Sequence, residues 1–189
     1  MGSFLVEEET ALDNQIQEPV MRNTRTHSSR SRMSGDEQVV EFMIGDELFA
    51  VDLFDTREVI NTPEVTPIPN VPPFITGMID LRGVITTIID LREMMHITRE
   101  STGKKRSRVI VLDKTVSEKM IGILVDDVSS VTTYAKEDID QEAQSSRESQ
   151  RDILGVIRKH KKDVGGKDKR TLVIWLDIKK MIGRVEKDL

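Results

Sequence analysis

The side chains able to do chemistry in this 189-residue chain are few and scattered. Its three histidines, His27, His96 and His160, stand far apart, and none has a second ligand at metal-binding spacing. There is no cysteine, which removes disulfides, thiolate nucleophiles and zinc–cysteine sites. Gly165-Gly166-Lys167 has part of the look of a phosphate loop, but the upstream glycine and the following Ser or Thr are missing. Asp126 and Asp127 are adjacent carboxylates. On a strand, neighbouring side chains point to opposite faces, so a turn role at a strand junction fits them better than paired acid–base work. His96 reads as a surface or boundary residue, and Met94 and Met95 as packing. No catalytic constellation assembles, so no enzyme, metal or cofactor is expected.

Two features remain. Arg158-Lys159-His160-Lys161-Lys162, with Lys167, Lys169 and Arg170, makes a basic 158–170 loop interrupted by Asp163 and Asp168. With no aromatic residue interleaved, it reads as a solvated hairpin tip before it reads as a nucleic-acid patch. The other is Pro72-Pro73-Phe74-Ile75-Thr76-Gly77-Met78-Ile79-Asp80-Leu81-Arg82-Gly83, a preset proline turn, a strand, then a charged residue before a glycine hinge. Glycine at 77 and 83 lets another backbone come close. Arg82 can hold carbonyls of its own turn or anchor a partner, and spacing alone leaves the two readings level.

Composition narrows the setting. The chain has 28 Lys+Arg against 33 Asp+Glu, a formal charge of −5, which argues against a duplex nucleic-acid binder. Five Phe, one Trp and one Tyr are little material for a stacking platform. The longest apolar run, Met120–Val125, is far short of the ~20 residues a spanning helix needs. The early Glu7-Glu8-Glu9 is acidic where an export signal is basic, so an intracellular protein without direct membrane insertion is expected.

The elements that must position these residues begin near residue 38. Residues 1–37 carry seven acids and four arginines around a Ser/Arg-rich stretch without periodicity, and read as a disordered N-terminal tail. From there, short strands alternate with turns: Val39–Ile44 and Leu48–Val51 around Gly45-Asp46, then Gly77–Asp90 hinged at Arg82-Gly83. Val109–Leu112, Met120–Val125, Val128–Tyr134, Ile153–Ile157 and Leu172–Leu176 follow as strands. Helical turns are expected at Leu53–Ile60 and Leu91–Ile97. Thr98–Arg106 and Ala135–Gln150 read as loops. Ile178, Met181, Ile182 and Val185 recur at helical spacing within Asp177–Lys187, a C-terminal helix. The class is all-β, about five strands per half, joined near Ile97–Ser107: two small barrels packed together.

Several linked motifs then resemble one family in order and spacing. They are Gly45–Asp52, Arg57–Ile60, Val71–Gly77, Asp80–Ile85, Ile88–Leu91, Ile123–Val128 and Leu172–Ile178, spread over about residues 38–183. The chain resembles the CheW family of chemotaxis coupling proteins. The resemblance implies two intertwined SH3-like five-stranded β-barrels over 38–189, a fold shared with the regulatory domain of the histidine kinase CheA. It implies a non-enzymatic adaptor in two-component signal transduction, cytoplasmic and recruited to receptor arrays through its partners. Those partners are the CheA regulatory domain and the cytoplasmic signalling tip of chemoreceptors, with no nucleic acid. The family's receptor-binding groove maps here onto Glu58, Val59, Gly77 and Arg82, with a side chain at 77 expected to intrude on a partner helix. Thr56, Asp80 and Thr87 stand where the family commonly has Val, Asn and Pro. Thr56 makes the groove less apolar, and Asp80 adds charge near Arg82. The alternative is an SH3-like peptide- or nucleic-acid-binding module using the 158–170 loop.

Overall fold

The computed structural model describes residues 35–97, 107–141, 152–162 and 168–186. Most of the expected tail and the Thr98–Arg106 loop lie outside the described residues. Among the described residues, eleven strands form two sheets. Strands β1 (Glu37–Ile44) and β2 (Glu47–Asp52) make a hairpin in which Ile44 faces Glu47 across Gly45-Asp46. Gly45 takes φ 63, a conformation that a tight hairpin reserves for glycine at its first central position. A single 3-10 turn, Leu53–Asp55, follows, with the Asp52 carboxylate accepting from the Phe54 N–H at 2.7 Å. It delivers the chain to β3 (Thr56–Asn61) in the other sheet. The helical turn expected over Leu53–Ile60 is thus cut short at Asp55. From Thr56 on, β-branched residues pair with β6 (Arg108–Leu112), and tertiary pairing overrides the local helical pattern.

The second sheet continues with β4 (Ile75–Leu81), β5 (Val84–Asp90) and β7 (Ile121–Val125), in the order β3-β6-β7-β5-β4. Between β5 and β6 lies the short helix α1 (Leu91–Met94), whose N-terminus the Asp90 carboxylate caps at Arg92 N. The first sheet adds β8 (Asp127–Tyr134), the two-residue β9 (Ile139–Asp140), β10 (Ile153–Lys162) and β11 (Asp168–Leu176), in the order β8-β1-β2-β11-β10-β9. The chain therefore does not divide near Ile97–Ser107. Its first two strands join its last four, and the five strands between them make the other sheet. Parallel pairings β2–β11 and β5–β7 enforce this interleaving, and no local pattern encodes them. Strand also extends where the 158–170 loop was expected, through Arg158–Lys162 and Asp168–Thr171.

Burial separates three apolar clusters. In β1, Val40, Phe42 and Ile44 face the largest, which gathers Phe49 and Val51 with Ile89, Ile110, Ile121 and Ile123 of the other sheet. The helix α2 (Ile178–Val185) seals it with Ile178, Met181 and Ile182, and its cap is Asp177, which accepts from Lys180 N at 3.0 Å. Val39 instead faces a second cluster with Ala50, Tyr134, Ile157, Val173 and Trp175, on the opposite side of its sheet. Ile79, Ile88, Val109 and Val111 make a third, on the far side of the five-stranded sheet. Each sheet thus has an apolar core of its own and shares a larger one with its neighbour. This two-sheet β fold is consistent with a pair of SH3-like units.

Candidate functional site

The turn at Arg82-Gly83 joins β4 to β5 with only two residues, since Leu81 pairs directly with Val84. Both central residues have positive φ, 56 at Arg82 and 82 at Gly83, the mirror-image turn whose twist suits a hairpin. Arg82 pays a steric cost for that conformation, being neither Gly nor Asn. The Asp80 carboxylate holds the turn by accepting from the Gly83 N–H at 2.6 Å. The charge at 80 therefore closes the turn's own backbone.

Arg82 reaches across to the opposite edge of the sheet. Its two terminal nitrogens donate to the two carboxylate oxygens of Glu58 on β3, at 3.4 and 2.9 Å. Strands β3 and β4 are the outermost in sheet order, so this bidentate pair joins the sheet's two edges. A second tie lies nearby: Thr66, in the proline-rich segment after β3, forms an isolated bridge with Met78 of β4 through two backbone hydrogen bonds of 2.8 Å. The Arg82 side chain is 66% exposed and that of Glu58 18%. A pair this open contributes about 0.2–1 kcal/mol to stability, so its worth lies more in orientation than in energy. Val59, the next residue on β3, is exposed, and so are Val84 and Ile85 just beyond the turn.

Gly77 is placed differently from what the sequence suggests. It has φ +152, and a Cβ built on it would stand 2.2 Å from the Thr66 carbonyl oxygen and 2.8 Å from Val65 Cγ1. The space that glycine leaves open is filled by this chain's own bridge. Glu58 and Arg82 are thus in direct contact, Val59 adjoins them, and Gly77 supports the same edge from within. Thr56 is half-buried, its hydroxyl donating to the Asp52 carbonyl at 3.4 Å. Thr87 lies inside the sheet, opposite Met78 and Ile121.

Two polar constellations, around Glu41 and Asp55, escaped the sequence reading. Glu41 on β1 is fully buried and accepts hydrogen bonds from Tyr134, from Ser130 at 3.1 Å and from Lys159 at 2.5 Å. Burial alone would raise its carboxyl. The hydrogen bonds from Lys159, Tyr134 and Thr132, with the Lys159 charge, outweigh that and hold it below the usual carboxylate value. Burial raises the Tyr134 hydroxyl, and its bond to Glu41 raises it further. One acidic residue among Val39, Val40, Phe42, Met43 and Ile44 was the available signal. Asp55 is buried beside Lys179 of α2 at 2.5 Å, and here burial wins and pushes the carboxyl up. Asp126, between β7 and β8, accepts from the Gly45 N–H at 2.7 Å and from the Arg92 guanidinium, tying together the β1–β2 turn, α1 and the crossing between sheets. That is the junction role expected of Asp126-Asp127. Beside it, a cavity of about 610 Å³ is lined by Asp90, Arg92, Glu93, His96 and Asp126 among others. Among the described residues no group of His, Asp and Glu is arranged to hold a metal ion, and no helix is long and apolar enough to cross a membrane.

Comparison with known proteins bears on the fold and the family. The profile described as the CheW-like domain matches residues 38–186, the body of both sheets. The chain belongs to the CheW-like domain family. It is similar to the chemotaxis protein CheW of Klebsiella aerogenes, 33% identical over 112 residues, 58% of this chain and 66% of that protein. It is 29% identical over 150 residues to the chemotaxis protein CheW of Thermotoga maritima, 78% of this chain and 89% of that one. The crystal structure of the scaffolding protein TtCheW from Thermoanaerobacter tengcongensis superposes with a TM-score of 0.62 at 26% identity. That match covers 80% of this chain and 90% of the other. The CheW-like fold and the scaffold role that goes with it in chemotaxis are thereby in place, with β3, β4 and β5 inside the matched region.

Proposed function

We propose that this CheW-like chain is a non-enzymatic adaptor coupling chemoreceptor signalling tips to the regulatory domain of the histidine kinase CheA. It works in the cytoplasm and reaches the membrane array through those partners. The observation that carries the reading is the Arg82–Glu58 clamp, an exposed guanidinium held in orientation, with exposed Val59, Val84 and Ile85 next to it in sequence on β3 and β5. A two-charge centre with an apolar margin suits an amphipathic helical tip, whose polar groups meet the clamp while its apolar ones cover the valines. Glu58, Val59 and Arg82 form the contact surface, and Gly77 shapes it from beneath.

The test is reconstitution with receptor-containing membranes and CheA, reading co-sedimentation and kinase activity together. Wild-type protein raises kinase activity and turns over no ATP alone. Arg82→Glu sets two like charges face to face and removes the anchor. Loss of an interface arginine costs about 1–3 kcal/mol, roughly five- to a hundredfold in affinity for the receptor tip. Melting temperature changes little, because the exposed pair contributes at most about 1 kcal/mol. Unchanged receptor affinity in Arg82→Glu refutes the site. Failure of wild-type protein to bind either partner refutes the coupling role.

A further inference from the structure

The last two residues of β4 before the turn sit opposite the first two of β5: Leu81 pairs with Val84 and Asp80 with Ile85. Residues directly opposite in an antiparallel pair share a face, with Cβ atoms about 4.5–5.5 Å apart. The Asp80 carboxylate therefore stands beside the Ile85 side chain, and both are exposed, Ile85 to 61%. Ile79 and Thr86, the next pair along the ladder, are buried on the other face. The Asp80–Ile85 pair thus lies on the solvent side of the hairpin.

The shape of Asp80 and its charge do separate things. One carboxylate oxygen, Oδ1, accepts from the Gly83 N–H at 2.6 Å and holds the turn. The carbonyl oxygen of an amide of the same shape can accept the same bond, so the turn needs an acceptor at 80 but not a negative charge. The two arginines of this edge are engaged elsewhere. Arg82 gives its terminal nitrogens to Glu58 at 3.4 and 2.9 Å, and Arg57 turns to the Met120 sulfur at 3.7 Å. The clamp is neutral by itself, so Asp80 gives the outer face of the hairpin a negative charge beside an exposed isoleucine. The complementary feature on a helix is a Lys or Arg three or four positions from an apolar residue, since side chains at that spacing share a face. A charge at the margin of a contact acts through complementarity, favouring one partner and repelling another.

We infer that Asp80 is a specificity-determining residue of the proposed receptor contact. Its charge selects a signalling-tip helix that presents a Lys or Arg to the carboxylate and an apolar neighbour to Ile85. The inference rests on the coupling role, because the receptor tip is the occupant.

Binding of a soluble receptor signalling-tip fragment to the full chain tests it, by titration calorimetry at low salt beside thermal melts. Asp80→Asn keeps the turn bond and the melting temperature but weakens binding about two- to fivefold, the worth of one exposed charge pair. Asp80→Lys weakens it further, roughly five- to twentyfold, because attraction becomes repulsion. Both losses shrink at about 1 M salt, where screening acts within ~3 Å. Replacing each Lys and Arg of the fragment by Glu in turn yields one variant that the wild-type chain binds weakly and the Asp80→Lys chain binds well. Asp80→Ala, with no acceptor for the Gly83 N–H, also lowers the melting temperature. Equal binding by wild type and Asp80→Asn, with loss in Asp80→Ala alone, leaves residue 80 a turn residue and overturns the inference while the coupling role stands. A loss confined to the kinase regulatory domain overturns it too, since the occupant is then the kinase. Failure of the wild-type chain to bind the fragment overturns the coupling role and this inference with it.

Discussion

Replacing Gly77 by Ala tests whether the edge of the five-stranded sheet is held from inside or kept open for a partner. The added Cβ would lie 2.2 Å from the Thr66 carbonyl oxygen and 2.8 Å from both the Thr66 carbonyl carbon and Val65 Cγ1. Two of those atoms are backbone, so no rotamer change relieves them. The Thr66–Met78 bridge must open, and with it two hydrogen bonds of 2.8 Å. Overpacking costs about 1–3 kcal/mol, and an L side chain at φ +152 adds about 1–3 more. We expect a loss of about 2–6 kcal/mol, or roughly 4–24 °C in melting temperature for a domain of this size. Urea titration followed by circular dichroism reads it directly. Binding to receptor and kinase should fall together, in step with the folded fraction. A Gly77→Ala protein within about 1 kcal/mol of wild type, but deficient in receptor binding alone, would refute the internal explanation and restore the partner-clearance one.

Glu58→Gln removes half of the clamp's charge but keeps its shape; with Arg82 less firmly oriented, receptor-tip affinity should fall about two- to tenfold while stability moves by under ~1 kcal/mol, as titration calorimetry and thermal melts would show. Glu41→Gln should cost about 1–3 kcal/mol at neutral pH, since Lys159, Tyr134 and Ser130 all lose their charged acceptor. Because the Glu41 carboxyl is held low in the folded state, its contribution is present above the unfolded carboxylate value and fades as pH falls through the folded one; the Gln variant should lack that part of the acid sensitivity in urea titrations across the acid range. Asp55 has the opposite sign: its carboxyl is raised, so folding is favoured at low pH and loses ground as pH rises, and Asp55→Asn should be near neutral or slightly stabilising at neutral pH despite the lost Lys179 contact.

The strands themselves were legible because alternation and turn chemistry are local. Gly45-Asp46 and Arg82-Gly83 mark their hairpins, and Ile178, Met181 and Ile182 mark the buried face of the last helix. Sheet membership was not legible, because the parallel pairings of β2 with β11 and of β5 with β7 join distant segments that carry no mutual signal. Leu53–Ile60 was misread for a related reason: its apolar spacing allows a helix, and only the partner strand β6 decides otherwise. At the site, the sequence supplied Glu58, Val59, Gly77 and Arg82 through resemblance. It could not supply the contact between Glu58 and Arg82, which depends on the two outer strands of a curled sheet meeting. The reason for Gly77 was hidden likewise, since Thr66 reaches it only through the proline-rich segment.

That meeting of edges bears on how an adaptor could transmit what it binds. Arg82 sits at a two-residue turn, Glu58 on the opposite outer strand, and the Thr66–Met78 bridge fastens the same two edges a few residues away. On the proposed reading a partner meets the Arg82 guanidinium while Glu58 holds it in place. The exposed pair itself contributes at most about 1 kcal/mol, whereas the bridge and the buried Ile79 and Ile88 behind it resist separation of the edges. Contact at the clamp therefore asks for no opening of the sheet. β3 also pairs with β6, whose Ile110 and Leu112 belong to the core shared by both sheets, so this edge is continuous with the packing that joins the two units. On the proposed coupling role, a rigid body with one oriented charge at its rim would present two partners in a fixed relation to each other.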